Sequence, residues 1–475
     1  MLAKLLLAFL LTVNIILDYG ESSYTGISHY HHKIKRMASF KSSYISRWGV
    51  PPIPRTISSS SAPVSTGSRV YHAIDYGADP TGNFDSIDAL EQAIFDAFGS
   101  LVEGHLIHGM ADLGGAELHL DGGTYKISRP LCLPRIRAGN FMIHGGSLVA
   151  SNAFPTDRHM VELLPFSKSF SYEYITLKDL MIDSNFKGGG IAILNSVRTT
   201  IDNCYITHFM TNGIFIEGGH ETYVRNTYIG QYITAGGDRR EKDFSGIGIN
   251  IIGNDNAVTD VVIFSAWIGI KIRGQANMVN GVHCYNKATG LGGIGIYIQA
   301  SGLTQNRIAN SYLDFTGIVA EDPVQLHVTG TFFLGNAFIL LKSLKGVLSG
   351  INIVDNMFSG DYTGIPIVQL DESNAPFKTI DQVIVDKNEV NGMVLKSTAA
   401  RGYVWGNGTT WTVDFSKVLL FPNMIKHVQY TLQAGSSFAS HILRNVSENR
   451  VTVESESPIP ATLHVSVDQT MVTYT

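Results

Sequence analysis

The sequence is short of cysteine, of net charge and of long apolar runs, and each shortage closes off a class of protein. Three cysteines in 475 residues, Cys132, Cys204 and Cys284, cannot build a disulfide framework. A net charge of −5 excludes general attraction to nucleic acid, which rests on clustered cations. The one apolar run, Leu5-Leu6-Leu7-Ala8-Phe9-Leu10-Leu11 within residues 1–20, is too short to span a bilayer comfortably. With Lys4 ahead of it, the run is expected to be a cleaved secretory signal, leaving an extracellular chain with no membrane segment. Residues 21–68 have no apolar period and are rich in Ser, Pro, His and cations, so a flexible linker is expected there.

Helix-length periodicity is scarce as well, and a repeat of short strand-like phrases stands in its place. One phrase begins at Leu177, Ile201, Val224, Val258, Val279, Ile308, Val328, Leu348 and, degraded, Val385. The other, Gly-Ile-x-Ile or its equivalent, begins at Gly190, Gly213, Gly248, Gly269, Gly295 and Gly364, with Phe338 to Leu341 in the same role and Pro323 to Leu326 as the version after Glu321-Asp322. Each phrase alternates with period two and is too short for a stable helix, so each reads as a brief strand. A base period in the low twenties with Asn, Asp or Gly at the corners is the signature of a solenoid. The expected fold is all-β: a right-handed, single-stranded parallel β-helix of about nine to ten coils. Asn203, Asn226 and Asn310 fall at equivalent corners, where they are expected to stack as an amide ladder.

The ends differ from the coils. Asp85 stands as an N-cap before a helix carrying Ile87, Leu90, Ile94 and Phe98 on one face, suited to plug the open first coil. Beyond Gly392 the pattern fades, and residues 405–421, 428–432, 451–454 and 463–467 read as short antiparallel strands. The expected domains are therefore a signal (1–20), a linker (21–68), the β-helix (69–421) and a C-terminal β segment (422–475). Asn407-Gly408-Thr409 and Asn445-Val446-Ser447 are glycosylation sequons, meaningful in a secreted chain.

A parallel β-helix offers a long ridged face matched to a polymer. Two insertions interrupt the rungs, one carrying Gly236 to Asp243 and one running from Asn286 to Gly293, and both precede a Gly-Ile-x-Ile strand, so they project on one side. Glycoside hydrolysis needs one carboxylic acid and one carboxylate. The acids available on that side are Asp238, in the longer insertion, and Glu321 with Asp322. Lys271 and Arg273 alternate on one strand and so face the same way, with Arg239, Arg240 and Lys287 in the loops, as a polyanionic uronate substrate requires. His220 and His283 are candidate proton shuttles. A solvated charged face, turn-capping acids and structural histidines are the alternative reading of these residues.

The opening Tyr76-Gly77-Ala78-Asp79-Pro80-Thr81-Gly82 with its helix resembles the first segment of the pectate-lyase-like β-helix superfamily. Gly236-Gly237-Asp238-Arg239, Gly253 to Asp260, His283 to Gly290 and Gly317 to Leu326 resemble the plant quartet-type polygalacturonases over about residue 69 to the C-terminus. The resemblance implies endo-hydrolysis of α-1,4-galacturonan in the cell wall, of the kind that lets pollen grains separate from tetrads; a monomer acting on de-esterified pectin without cofactor or metal is expected. The Asn-Thr-Asp, Asp-Asp, Gly-His-Gly and Arg-Ile-Lys motifs of ordinary polygalacturonases are altered here. No acid stands in Ser245-Gly246-Ile247 or in Ala266-Trp267-Ile268-Gly269, and Lys271-Ile272-Arg273 reverses the last motif. A calcium-dependent pectate lyase and a non-catalytic pectin-binding wall protein are the alternatives.

Overall fold

A computed structural model describes residues 69–99, 106–165, 169–299, 302, 305–435 and 438–470. The expected signal and linker lie outside the described residues. No helix among those described is long and apolar enough to cross a membrane.

The repeat closes into a right-handed parallel β-helix whose three faces are here called sheets I, II and III. In sheet I the inward column runs Tyr71, Leu118, Ile143, Leu177, Ile201, Val224, Val258, Val279, Ile308, Val328, Ile353 and Val385, each opposite the next. In sheet III it runs Leu131, Val161, Ile191, Ile214, Ile249, Ile270, Ile296, Ile318, Ile339 and Val368. Sheet II lies between them and carries Ile229, Ile263, Cys284, Leu313, Phe333 and Phe358 inward. Apart from Tyr71, which is partly buried on the first strand, these side chains are essentially inaccessible, so apolar surface that one coil leaves open is covered by its neighbours. Cys284 is one of them, as its place in the phrase implied.

The glycine of Gly-Ile-x-Ile has a steric cause. A Cβ built on Gly248 would sit 2.6 Å from the carbonyl oxygen of Gly269, and one on Gly269 would sit 2.5 Å from that of Gly295. The column continues through Gly295 to Gly317, whose neighbour on the next rung is Phe338. Each coil therefore passes so close to the next at this corner that a side chain does not fit.

Three positions depart from the sequence reading. Ile353, not Leu348, continues the sheet I column, and Leu348 pairs with Ile380 earlier on the same strand, Val347–Val354. Gly364 lies outside the glycine column, because Val368 is the residue opposite Ile339. The sheet III strand of the Glu321 coil is Ile318–Glu321, not residues 323–326. Glu321 therefore ends a strand and does not precede one.

The expected amide ladder also sits elsewhere. Asn203, Asn226 and Asn310 do occupy one left-handed corner, with φ of 52°, 51° and 49°, but each side chain bonds the preceding coil: Asn203 to Asp179, Asn226 to Asp202 and Asn310 to Asn280. The ladder of stacked amides is at the buried corner before sheet I. There Asn277 Oδ1 accepts from the backbone and side-chain nitrogens of Asn256, Asn306 Oδ1 accepts from the backbone N–H of Asn277, and Asn277 Nδ2 donates to the Gly253 carbonyl. Asn356 and Asn388 repeat the pattern at the next corner.

The helix Ile87–Gly99 covers the first coil with Ile87, Leu90, Ile94 and Phe98 buried, and the Phe98 ring meets Phe141 edge-on. At the other end Ala399–Asp414, His427–Ala434, His441–Ser447 and Arg450–Asp468 form an antiparallel sheet with its own core around Trp411, Leu463 and Val465. These strands are longer than the sequence pattern suggested and begin at Ala399, upstream of residue 422. Asn407 and Asn445 are both exposed on this sheet.

Carboxylates on the outer faces contribute to the acid dependence of the fold's stability. Burial pushes Asp202 up, but bonds from Asn226 and Arg225 outweigh it and hold its carboxyl below the usual range. Asp183 is pushed up by burial and pulled further down by His208 and the Asn185 amide. A folded-state pKa below the unfolded value contributes stability that is present above the unfolded value and lost as pH falls through the folded one. The thermal midpoint is therefore expected to drop as pH falls below about 4, and Asp202→Asn is expected to make that limb shallower. Calorimetry from pH 6 to pH 2.5 checks it, and identical limbs in the two proteins would contradict it.

Candidate functional site

Sheet III presents its outward side chains between two sets of turns, and the two insertions rise on one side of it. They brace each other. The Glu241 carboxylate is buried and accepts the backbone N–H groups of Gly237 and Ala288. Lys287 Nζ donates to the carbonyls of Lys242, at 2.8 Å, and Phe244. Trp267 Nε1 donates to the Gly292 carbonyl at 2.7 Å. Gln231 ties the base of the longer loop by accepting from the Ser245 and Gly246 amides. The result is a wall in which side chains of the two loops are tied to backbone groups.

Beside that wall a line of polar side chains crosses the rungs. Lys271 is opposite Tyr297, and Tyr297 is opposite Val319. The Lys271 ammonium lies 5.8 Å from the centre of the Tyr297 ring, within cation–π range. Tyr297 Oη donates to Glu321 Oε1 at 2.6 Å. Glu321 is 7% exposed, and Tyr297 is its one hydrogen-bond partner among the described residues, so its second oxygen is uncommitted. Burial and the neighbouring Arg273 hold the Lys271 ammonium below the usual lysine range, with Glu321 pulling the other way. The Tyr297 phenol is pushed up by burial and by Glu321 and stays protonated. Arg273 is exposed and makes no ion pair among the described residues.

Beyond Glu321 the outward column continues to Lys342 and then Asp371. Bonds from Ser373 hold the Asp371 carboxyl below the usual range. Two rungs at about 4.8 Å each put Glu321 and Asp371 roughly 10 Å apart along the backbone. Lys342 stands on the rung between them.

The sheet III line includes Lys271, Arg273 and Glu321 from the sequence reading and leaves the other candidates out. Asp322 is 1% exposed, and its two oxygens accept the four backbone N–H groups of residues 344–347. That makes it the anchor of a turn. Asp238 accepts the Arg240 amide within its own loop. Arg239 and Arg240 are exposed on the same loop. Lys287 is committed to carbonyls, as above. His220 is the last residue of its strand Asn212–His220 and pairs with Asp255 at 3.1 Å, and His283 stands on sheet II, edge-on to Tyr312. Tyr297, Lys342 and Asp371 were missed. Period-two alternation in Gly295-Ile296-Tyr297-Ile298 carried the signal for Tyr297, which shares the register position of Lys271.

No family model matches the chain. It is 57% identical over 458 residues to polygalacturonase QRT3 of Arabidopsis thaliana, covering 95% of this chain and 94% of that protein. The chain belongs to the polygalacturonases. Among solved structures it is similar to the ORF18 protein of Geobacillus virus E2, with TM-score 0.53 and 12% identity over 86% of this chain and 79% of that one, a likeness of fold alone. The A-module of the mannuronan C-5 epimerase AlgE4 of Azotobacter vinelandii follows, with TM-score 0.48 and 13% identity over 68% of this chain and 96% of that one. In this polygalacturonase the segments that lack the usual acids, Ser245 to Ile247 and Ala266 to Gly269, are filled by backbone contacts to Gln231 and Asn286. Glu321 and Asp371 instead stand at the far end of their sheet III strands.

Proposed function

We propose that the chain hydrolyses de-esterified α-1,4-galacturonan in the plant cell wall, with the polymer lying along sheet III across the rungs. The observation that carries this reading is the line Lys271, Tyr297, Glu321: a cation in register with an aromatic ring on the next rung, and a carboxyl bonded through one oxygen to that ring's hydroxyl, beside a braced wall. Lys271 and Arg273 take the uronate carboxylates. Glu321 gives a proton to the leaving oxygen. Asp371, kept ionised by Ser373, activates the water from two rungs away, which inverts the anomeric carbon. Secretion and glycan attachment at the exposed Asn407 and Asn445 accord with a wall location, and a single copy of the chain suffices for this site.

Lys271→Gln with Arg273→Gln tests the binding half. Exposed charges are screened over about 8 Å at physiological salt, so KM for polygalacturonate is expected to rise in the double variant and its salt dependence to flatten. The thermal midpoint is expected to change little. A variant that keeps its salt-sensitive KM would place the polymer elsewhere.

One observation favours a second reading. A lysine held below its usual range, next to an arginine, is the kind of base that removes the C5 proton of a uronate in β-elimination. Lyase action yields an unsaturated product absorbing at the ultraviolet edge, which hydrolysis does not.

A further inference from the structure

At the N-terminal end of sheet I, far along the helix from the line described above, three side chains converge. His72 ends the strand Val70–His72, His119 ends the strand Ala111–His119, and the two are direct partners on neighbouring rungs. Asp121 follows at a left-handed corner, φ 52°, which turns its carboxylate back over the strand ends. Its Oδ1 lies 2.6 Å from His72 Nδ1 and 2.7 Å from His119 Nδ1. The three atoms all lie within 4.8 Å of one another.

The second carboxylate oxygen is unusual. Asp121 Oδ2 is buried and has no hydrogen-bond partner among the described residues, whereas buried carboxylate oxygens are ordinarily paired. On the next rung His144 packs its ring 4.6 Å from His119 and bonds Glu117 at 3.0 Å, so the His119 ring is held from behind. The side chains of His72 and His119 are 43% and 33% exposed, which leaves an approach from solvent.

We propose that His72, His119 and Asp121 form a binding site for a divalent transition metal of the zinc type. Two imidazole nitrogens and one carboxylate oxygen, with the fourth position open to water, suit Zn²⁺. Calcium and magnesium demand oxygen ligands in larger number. Binding places the metal at both Nδ1 atoms and moves each ring proton to Nε2, while the carboxylate gains a partner that the two histidines do not supply. The ion fastens Val70–His72, a three-residue strand whose one paired neighbour among the described residues is Ala111–His119, to the coil behind it. Terminal rungs of a solenoid are where opening begins, so the site secures the first described coil.

The test uses the full chain with His29, His31 and His32 replaced by alanine, because those residues would also bind metal. After removal of metal by chelator, titration with Zn²⁺ is expected to show one equivalent bound and a raised thermal midpoint, with no such rise from Ca²⁺ or Mg²⁺. Co²⁺ is expected to give the intense visible band of a four-coordinate ion. His72→Ala and Asp121→Asn should each weaken binding by at least about tenfold, and His144→Ala, which leaves all three donors in place, should weaken it less. A pale, octahedral Co²⁺ spectrum, or unchanged affinity in a folded Asp121→Asn variant, would overturn the proposal.

Discussion

Glu321→Gln is expected to lower the release of reducing ends from polygalacturonate by about 10²–10⁴-fold, the usual range for loss of a general acid or base. Gln keeps the size of Glu321 and can still accept from Tyr297 Oη, whose bond to Oε1 is 2.6 Å, so the loss should fall on kcat with KM nearly unchanged. Asp371→Asn should produce a comparable loss. Asp238→Asn should keep most activity, because Asp238 serves its own loop through the Arg240 amide. Asp322→Asn is expected to lose stability first, since its two oxygens hold the four amides of residues 344–347. Measuring kcat and KM beside the unfolding midpoint for all four separates these cases. A fully active Glu321→Gln would remove the proposed site and leave the fold untouched.

Asn277→Leu is expected to be the most damaging polar substitution in the coils. It leaves the Asn256 amide groups and the Gly253 carbonyl without partners at a corner where Asn277 is 1% exposed. Each buried unpaired group costs about 1–3 kcal/mol, so a loss on the order of 3 kcal/mol or more is expected. Asn310→Gly is the contrasting case. Its corner needs φ of 49°, which glycine adopts freely, and its side chain makes one exposed bond, to Asn280. A change within about 1 kcal/mol is expected there. Equilibrium urea unfolding of both variants checks the contrast, and equal losses would mean that the buried ladder holds no more than the exposed corner does.

These two asparagine columns show where a linear reading of the chain stops. A left-handed corner selects Asn for its backbone and a buried corner selects it for its amide, and both leave the same letter at a similar spacing. The repeat itself was legible because Ile and Val recur wherever a coil faces its neighbour. The register slipped in the coils after Tyr297, and Glu321 was set on the wrong side of its strand. In Val347–Val354 several apolar residues compete for the column, and the turn that decides between Leu348 and Ile353 is set by Asp322, a contact across more than twenty residues. Gly317 was passed over although a Cβ on Gly295 would meet its carbonyl at 3.0 Å. Lys271 and Arg273 were found by alternation on one strand. The same alternation marked Tyr297 on its strand, but Asp371 joins Glu321 only when coils are superposed, and the commitment of Lys287 to two carbonyls is a property of two loops meeting.

The first products formed from de-esterified polygalacturonate, followed by proton NMR of the new chain ends, test the central claim most directly. Hydrolysis with Glu321 as the acid and Asp371 as the base for water predicts saturated reducing ends that appear first as the β anomer and then equilibrate. Ends that appear first as the α anomer, ends carrying a C4–C5 double bond, or no new ends at all from a folded protein that binds the polymer would contradict it.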